Sequence, residues 1–294
     1  MKEAKMVYTI DLEKRIDKLL TNRGIVGHTA ADRFISDFKA YLCYYDMTTE
    51  GDANTTLELL EDDANLVSSD LLNTNFSTTF EDLLPSALHN DPIFPKLFRK
   101  LIDNKGKGVG VGELALPLII AGYSFSNDSD GVLDCGAKVE IKKKGASLKP
   151  VKGGLTKKGI VDELNKKYFN GTVPGMKIKS KFNKHLNEVK DPSVYADYFA
   201  ELYVGCDTSE LAKEVEDVYT DKIAFCTAVG KFALKNYKRV DGWNNIMFVD
   251  DEKMRLLNIA DVDNVDDLGL RFHPVLRRGG DTQAIADGYV NVDF

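Results

Sequence analysis

Long apolar runs are missing from this chain. The longest, Leu114 to Gly122, contains Pro117 and falls far short of the roughly 18 residues a bilayer span needs, so no transmembrane helix is expected. The opening MKEAKMVYTIDLEKR mixes acids and lysines where an export signal would need an apolar stretch and a small-residue cleavage site. Cysteine is sparse and scattered: Cys43, Cys135, Cys206 and Cys226 form no CxxC pair, which argues against a structural zinc and against a disulfide framework and points to a reducing compartment. His28, His89, His185 and His273 have no metal-ligand spacing between them and read as structural or surface residues. No G-x-S-x-G elbow or Cys/His pairing is present, so acyl chemistry lacks its nucleophile. Gly106, Gly108, Gly110 and Gly112 alternate, but no G-x-G-x-x-G can be laid on them and no GK[ST] follows, which excludes a nucleotide phosphate loop. Cys135, beside Asp134, reads as a small buried turn residue rather than a nucleophile.

What is present is a core-sized apolar content and an uneven charge. The 294 residues are 43% hydrophobic and 29% charged, enough for one large or two modest domains. The net charge of −7 argues against a nucleic-acid binder when taken as an average. The average conceals a segregation: Lys138 to Lys184 contains fourteen lysines against Glu140, Asp162 and Glu163, a net +11, and leaves −18 for the rest. A local footprint for phosphates and a lysine-rich solvated face both account for that tract.

The periodicity changes along the chain. From Leu12 to about Leu101 apolar residues recur at three- and four-residue spacing, which predicts an α-helical N-terminal region over 1–100. After the glycine-rich NKGKGVGVG, ELALPLIIAGY predicts a short apolar helix. VLDCGAKVEIKKK predicts a β-hairpin turning around Cys135-Gly136, with period-two alternation in its second strand. LTKKGIVDELNKKYF predicts a basic amphipathic helix, further helices follow to about Lys238, and GWNNIMFVDD, LGLRFHPVLRR and GYVNVDF predict C-terminal strands. The expectation is one α/β body, with residues 101–294 forming a core that carries a helical insertion and C-terminal strands.

In KVEIKKK, Glu140 and Lys142 are two apart and share a face, while Val139 and Ile141 point the other way. The apolar face explains the strand; the charged face needs another reason. Asp134, six residues before Glu140, is expected to be returned toward it by the hairpin, and Glu113, after the glycines, is expected to add a third carboxylate. Carboxylate oxygens at that density suit a hard divalent cation such as Mg²⁺, which binds substrate phosphate, while a nearby lysine positions water or offsets developing charge.

GVGVGELAL, then VLD, then VEIKKKGASL resembles the nuclease signature of the PD-(D/E)XK superfamily, in the phage-type variant in which a GxGE segment precedes a D…ExK hairpin. The resemblance covers about Lys105 to Gly159. It implies a restriction-endonuclease-like mixed four-stranded sheet flanked by helices, and Mg²⁺-dependent endonucleolytic hydrolysis of DNA leaving 5′-phosphates, with Mn²⁺ able to substitute. It implies Glu113, Asp134 and Glu140 as metal-binding catalytic acids and Lys142 as the catalytic lysine. Lys143, Lys144, Lys149, Lys152, Lys157 and Lys158 follow at once and are expected to contact DNA phosphates. The corresponding setting is a phage-encoded protein in the host cytoplasm. A virion structural or DNA-packaging protein, with virion or packaging partners and this fold as scaffold or DNA-contacting module, is the alternative.

Overall fold

A computed structural model describes residues 2–28, 31–48, 53–104, 109–126, 129–148, 165–167, 169–174, 177, 180–181, 184, 188, 221–278 and 286–294. The protein is mixed α/β and divides into two compact units, residues 1–144 with 243–261 and residues 145–242 with 262–294. Among the described residues no helix is long and apolar enough to cross a membrane.

The first unit opens with α1 (Lys2–Asn22), α2 (Asp32–Thr48) and α3 (Ala53–Glu61), and continues through β1 (Phe76–Thr79), α4 (Phe80–Leu83), α5 (Ser86–His89) and α6 (Phe94–Leu101). The helices form because their apolar residues fall on one stripe: Leu12, Ile16, Leu19 and Leu20 are buried from α1, and Phe94, Leu97, Phe98 and Leu101 from α6. The start of α6 is fixed by Asp91, whose Oδ1 accepts from the amides of Ile93 (3.0 Å) and Phe94 (2.6 Å) and from the Thr56 hydroxyl (3.1 Å). Those donors are why a buried carboxylate is tolerated there.

The sheet of this unit has six strands: β1, β2 (Tyr123–Phe125), β3 (Gly131–Leu133), β4 (Lys138–Lys143), β6 (Asn245–Asp250) and β7 (Arg255–Ile259), in the order β1-β7-β6-β4-β3-β2. The β4–β6 pair is parallel and the other four pairings are antiparallel. Strand β6 is buried along its whole length, as suits a central strand.

Two expectations change here. The N-terminal 100 residues are not purely helical, because Phe76–Thr79 forms the sheet's edge strand against β7. Four residues are too few to display an alternation. Nor do they stand apart as a region: Leu12, Phe38, Leu60 and Phe98 belong to the same hydrophobic cluster as Leu116, Val139, Ile141 and Met247. The stretch after Glu113 is not an α-helix either. Pro117 has no N–H to give to the carbonyl of Glu113, so the chain closes through Leu116 N–H to Gly112 O (2.9 Å) and Leu118 N–H to Ala115 O (3.1 Å), a turn running into a short 3-10 segment, Leu116–Leu118.

The second unit contains β5 (Ser147–Leu148), α7 (Lys222–Asp241), β8 (Arg271–Arg278) and β9 (Ala286–Asp293), with an antiparallel sheet in the order β5-β9-β8. Asp221 caps α7 by accepting from the amides of Ile223 (2.7 Å) and Ala224 (3.0 Å). The expected basic helix over 155–169 and the helices over 185–219 lie largely outside the described residues.

Strand β7 is tied to the segment ahead of β1 by buried amides. Asn258, fully buried, donates to Leu72 O (3.0 Å) and Thr74 O (2.7 Å), and Asn245 donates to Leu72 O and to Asn258 Oδ1 (3.4 Å). Asn258→Ala strands the Thr74 carbonyl and one Asn245 donor without water, so unfolding by denaturant is expected to show a loss of about 2–3 kcal/mol. A loss under about 0.5 kcal/mol, the range of ordinary surface substitutions, refutes that role.

Candidate metal and catalytic site

The hairpin register decides which residues meet. Gly131 pairs with Val139 and Val132 with Lys138, while Leu133 N–H donates to Ala137 O (2.9 Å) across the turn. One step further out, Glu140 faces Asp130, not Asp134. Asp130 stands where β3 ends, and its Oδ2 accepts from the amide of Ile141 at 2.7 Å, replacing the strand partner that β4 has lost. Glu140, also buried, shares its face of β4 with Lys142. The Lys142 ammonium pairs with Glu140 Oε1, donates to Ile141 O (3.3 Å), and lies 3.8 Å from Asp130 Oδ2.

Glu113 enters from the turn at 111–115 and is also buried, with Oε1 accepting from the amide of Gly110 at 2.7 Å. A Cβ at position 110 would stand 2.6 Å from that same oxygen, so the seat of this carboxylate requires glycine. Burial, and after it the charge of Asp130, push the Glu113 carboxyl up to about 7, against the pull of the Gly110 amide and of Lys142. Asp130 is likewise raised by burial, opposed by Lys142 and the Ile141 amide. Glu113, Asp130, Glu140 and Lys142 therefore form one electrostatic group within the first unit.

Asp134 lies elsewhere. Its amide donates to Gly122 O (2.8 Å) at the turn end of the hairpin, four residues from Asp130, roughly 13 Å along a strand. It lines a separate recess of about 500 Å³ with Arg15, Lys18, Arg23, Glu61 and Asp63. The structure corrects the expectation that Asp134 meets Glu140: the pairing is centred on Cys135, with Gly131 opposite Val139 and Val132 opposite Lys138, so Glu140, five residues after it, falls opposite Asp130, five before it, while Asp134 is only one residue away. A two-residue turn at Cys135-Gly136, as the sequence suggests, would have put Gly131 opposite Glu140, so the one-residue shift in register is what brings Asp130 to the site. Cys135, in the turn, is exposed rather than buried.

The lysines expected to meet phosphates divide. Lys143 pairs with Asp251 (2.8 Å) and Lys144 with Asp250 (2.8 Å). Both couple the end of β4 to the chain at and just after the end of β6. Lys149, Lys152, Lys157 and Lys158 lie outside the described residues.

The donor chemistry fits a hard divalent ion. Three carboxylates oppose a single ammonium, and oxygen donors of that kind in that excess suit a cation such as Mg²⁺. Among the described residues no three acidic, histidine or cysteine side chains are already gathered tightly around one point, so an ion would draw Glu113, Asp130 and Glu140 inward. No protein-family model matches the chain, and neither does a curated protein or a solved structure.

The Glu113 shift has a pH consequence. Its carboxyl ionises at about 7 in the folded protein against an ordinary value of 4.5, so the folded state holds a proton that the unfolded chain has released. The stabilisation is complete below about 4.5 and is lost as pH rises through about 7, a span of up to about 3 kcal/mol. Glu113→Gln keeps the acceptor for Gly110 and removes the charge. In metal-free buffer it is expected to melt higher than the parent at pH 8 and alike at pH 4, measured by thermal unfolding; equal melting temperatures at pH 8 contradict the assignment.

Proposed function

We propose that the protein is a metal-dependent endodeoxyribonuclease of the restriction-endonuclease-like fold. The observation that carries this reading is the convergence of Glu113, Asp130, Glu140 and Lys142 at the open end of one hairpin. Function needs this group because stability does not: clustered buried carboxylates are costly, and perturbed acids of this kind gather at reactive sites. Within the six-stranded sheet, the contiguous run β2-β3-β4-β6 has two antiparallel pairings and one parallel one, and this mixed arrangement supports the finer fold assignment that the resemblance to PD-(D/E)XK nucleases implies.

Glu113, Asp130 and Glu140 would hold Mg²⁺ or Mn²⁺ through carboxylate oxygens. When bound, the ion supplies Lewis acidity toward a phosphate oxygen and toward the attacking water. Lys142, carried two residues after Glu140 on the same face, orients that water and offsets the charge that develops on the phosphorus-bound oxygens. The Ile141 amide holds one oxygen of the Asp130 carboxylate and the Gly110 amide one of Glu113, which leaves the other oxygen of each to turn toward an ion. The substrate is DNA, in the host cytoplasm of a phage-encoded protein.

The test is nicking of supercoiled plasmid with Mg²⁺, Mn²⁺ or EDTA by the parent, Asp130→Asn, Lys142→Ala and Asp134→Asn. Cutting is expected only with metal, about a hundredfold or more slower in Asp130→Asn and Lys142→Ala, and close to parental in Asp134→Asn. Loss in Asp134→Asn with Asp130→Asn unaffected would return the site to the hairpin turn. Salt-sensitive DNA retention by the parent with no cutting in any metal would favour a virion or packaging scaffold instead.

A further inference from the structure

Lys143 and Lys144 are held by Asp251 and Asp250, so neither brings uncompensated charge to a phosphate at the site. Helix α6 does. Residues 94–112 hold Lys96, Arg99, Lys100, Lys105 and Lys107 against the single acid Asp103, a net +4. Residues 1–93 carry eight basic and seventeen acidic side chains, a net −9, so the basic segment stands out in acidic surroundings. Positions 96, 99 and 100 lie three and four apart on one face of α6, opposite the buried Phe94, Leu97, Phe98 and Leu101, and all three are exposed. Among the described residues no carboxylate pairs with Arg99 or Lys100. The Lys100 ammonium lies over the Tyr41 ring, 5.2 Å from its centre, a contact that steadies the side chain and leaves its charge uncompensated. Lys105 and Lys107 lie outside the described residues.

The same helix ends against the acidic group. Ile102 O, just past its last turn, accepts from the Gly112 amide (3.0 Å), and Glu113 is the next residue. A Cβ at Gly112 would stand 3.7 Å from Ile102 Cδ1 and 3.1 Å from Val249 Cγ2, so this contact sits on β6, the strand beside β4. Along the helix axis Lys100 is about 3 Å and Lys96 about 9 Å from Ile102, which lines the approach to the carboxylates with cations. Carboxylates repel a phosphate backbone, so a substrate needs cations beside them, and α6 is where the first unit presents them.

We propose that the exposed face of α6, Arg99 and Lys100 together with Lys96, is the surface on which the DNA backbone lies when a phosphate reaches the Glu113, Asp130 and Glu140 group. Its choice of partner rests on the nuclease reading above. The contacts are ionic and independent of base sequence.

Binding of a fluorescent DNA duplex, followed by anisotropy in EDTA over a series of salt concentrations, tests it without cutting. The double variant Arg99→Gln with Lys100→Gln is expected to bind about tenfold or more weakly at low salt, with the slope of log K against log salt shallower by about two. Lys14→Gln with Lys18→Gln removes the same charge from α1 and is expected to keep the parental slope. Parental affinity and slope in the α6 variant overturn the proposal. An equal loss in the α1 variant also overturns it, since the response would then be to net charge alone. Acetylation of the parent needs no variant: duplex is expected to protect Lys100 and not Lys18. If the α6 variant does not fold, that measurement decides, and no protection of Lys100 overturns the proposal. A parent that retains no duplex at low salt overturns it as well. Metal-dependent plasmid cutting with unaltered binding in the α6 variant removes this surface alone. Binding that depends on α6, in a protein that cuts with no metal, upholds the surface and removes the nuclease reading alone.

Discussion

Two buried carboxylates, Glu113 and Glu140, and the partly buried Asp130 around one ammonium set the terms for the rest of the first unit. Two like charges about 4 Å apart repel by about 4 kcal/mol at the effective dielectric of a protein surface, and burial strengthens the effect. Lys142 relieves Glu140 by direct pairing and Asp130 by proximity at 3.8 Å, which leaves Glu113 as the member without a cation in contact. Burial first, and then the charge of Asp130, raise its carboxyl to about 7, and the Gly110 amide and Lys142 offset them only in part. A chain selected for stability alone would fill these positions with apolar residues of similar volume.

Backbone geometry around the group serves to keep it assembled. The loss of a strand partner at the end of β3 exposes the Ile141 amide, and Asp130 takes it, which anchors one acid to the strand that carries the other. Gly110 leaves room for the Glu113 oxygen, and Pro117 stops the following residues from forming a helix that would carry Glu113 on a different axis. The turn is fastened instead to a segment far away in sequence, through Val67 N–H to Ile119 O (2.8 Å) and Ala121 N–H to Val67 O (2.9 Å). An acid on a surface helix would be mobile; an acid on a turn pinned at both ends is held.

The legible parts of the sequence were those with periodicity over enough residues. The helical stripes of α1, α2 and α6, the alternation of β4, and the strands β6, β8 and β9 all run long enough to reveal their period. β1 and β2, of four and three residues, do not, and each owes its place to pairing with a distant strand rather than to its own pattern. Within the site, Glu113, Glu140 and Lys142 were readable from composition and spacing, and their meeting is a matter of tertiary structure. Asp134 sits inside the motif-like VLD, but the hairpin is centred on Cys135 rather than on Cys135-Gly136, and that register, which the sequence does not display, puts Asp130 opposite Glu140.

The lysine-rich tract has a different meaning after its pairings are known. Lys142, Lys143 and Lys144 are consecutive, yet they answer to three acids on two elements: Lys142 to Glu140 on its own strand, Lys143 to Asp251, and Lys144 to Asp250. Burial opposes the charge of Asp250, but the Lys144 contact, the Lys253 amide and the charges of both lysines outweigh it and hold its carboxyl below the ordinary range. That pair is therefore locked, with the buried acid needing its lysine in order to stay ionised. Lys143 is less bound to its place, being half exposed against a largely buried Asp251. The +11 counted along Lys138 to Lys184 thus overstates the charge free to meet phosphates. A phosphate competing for Lys144 would have to leave Asp250 buried and uncompensated, a loss that one surface phosphate contact does not offset. Lys143 carries the more exposed ammonium of the two, but its acid Asp251 is nearly as buried as Asp250, so both lysines are held to the end of β6.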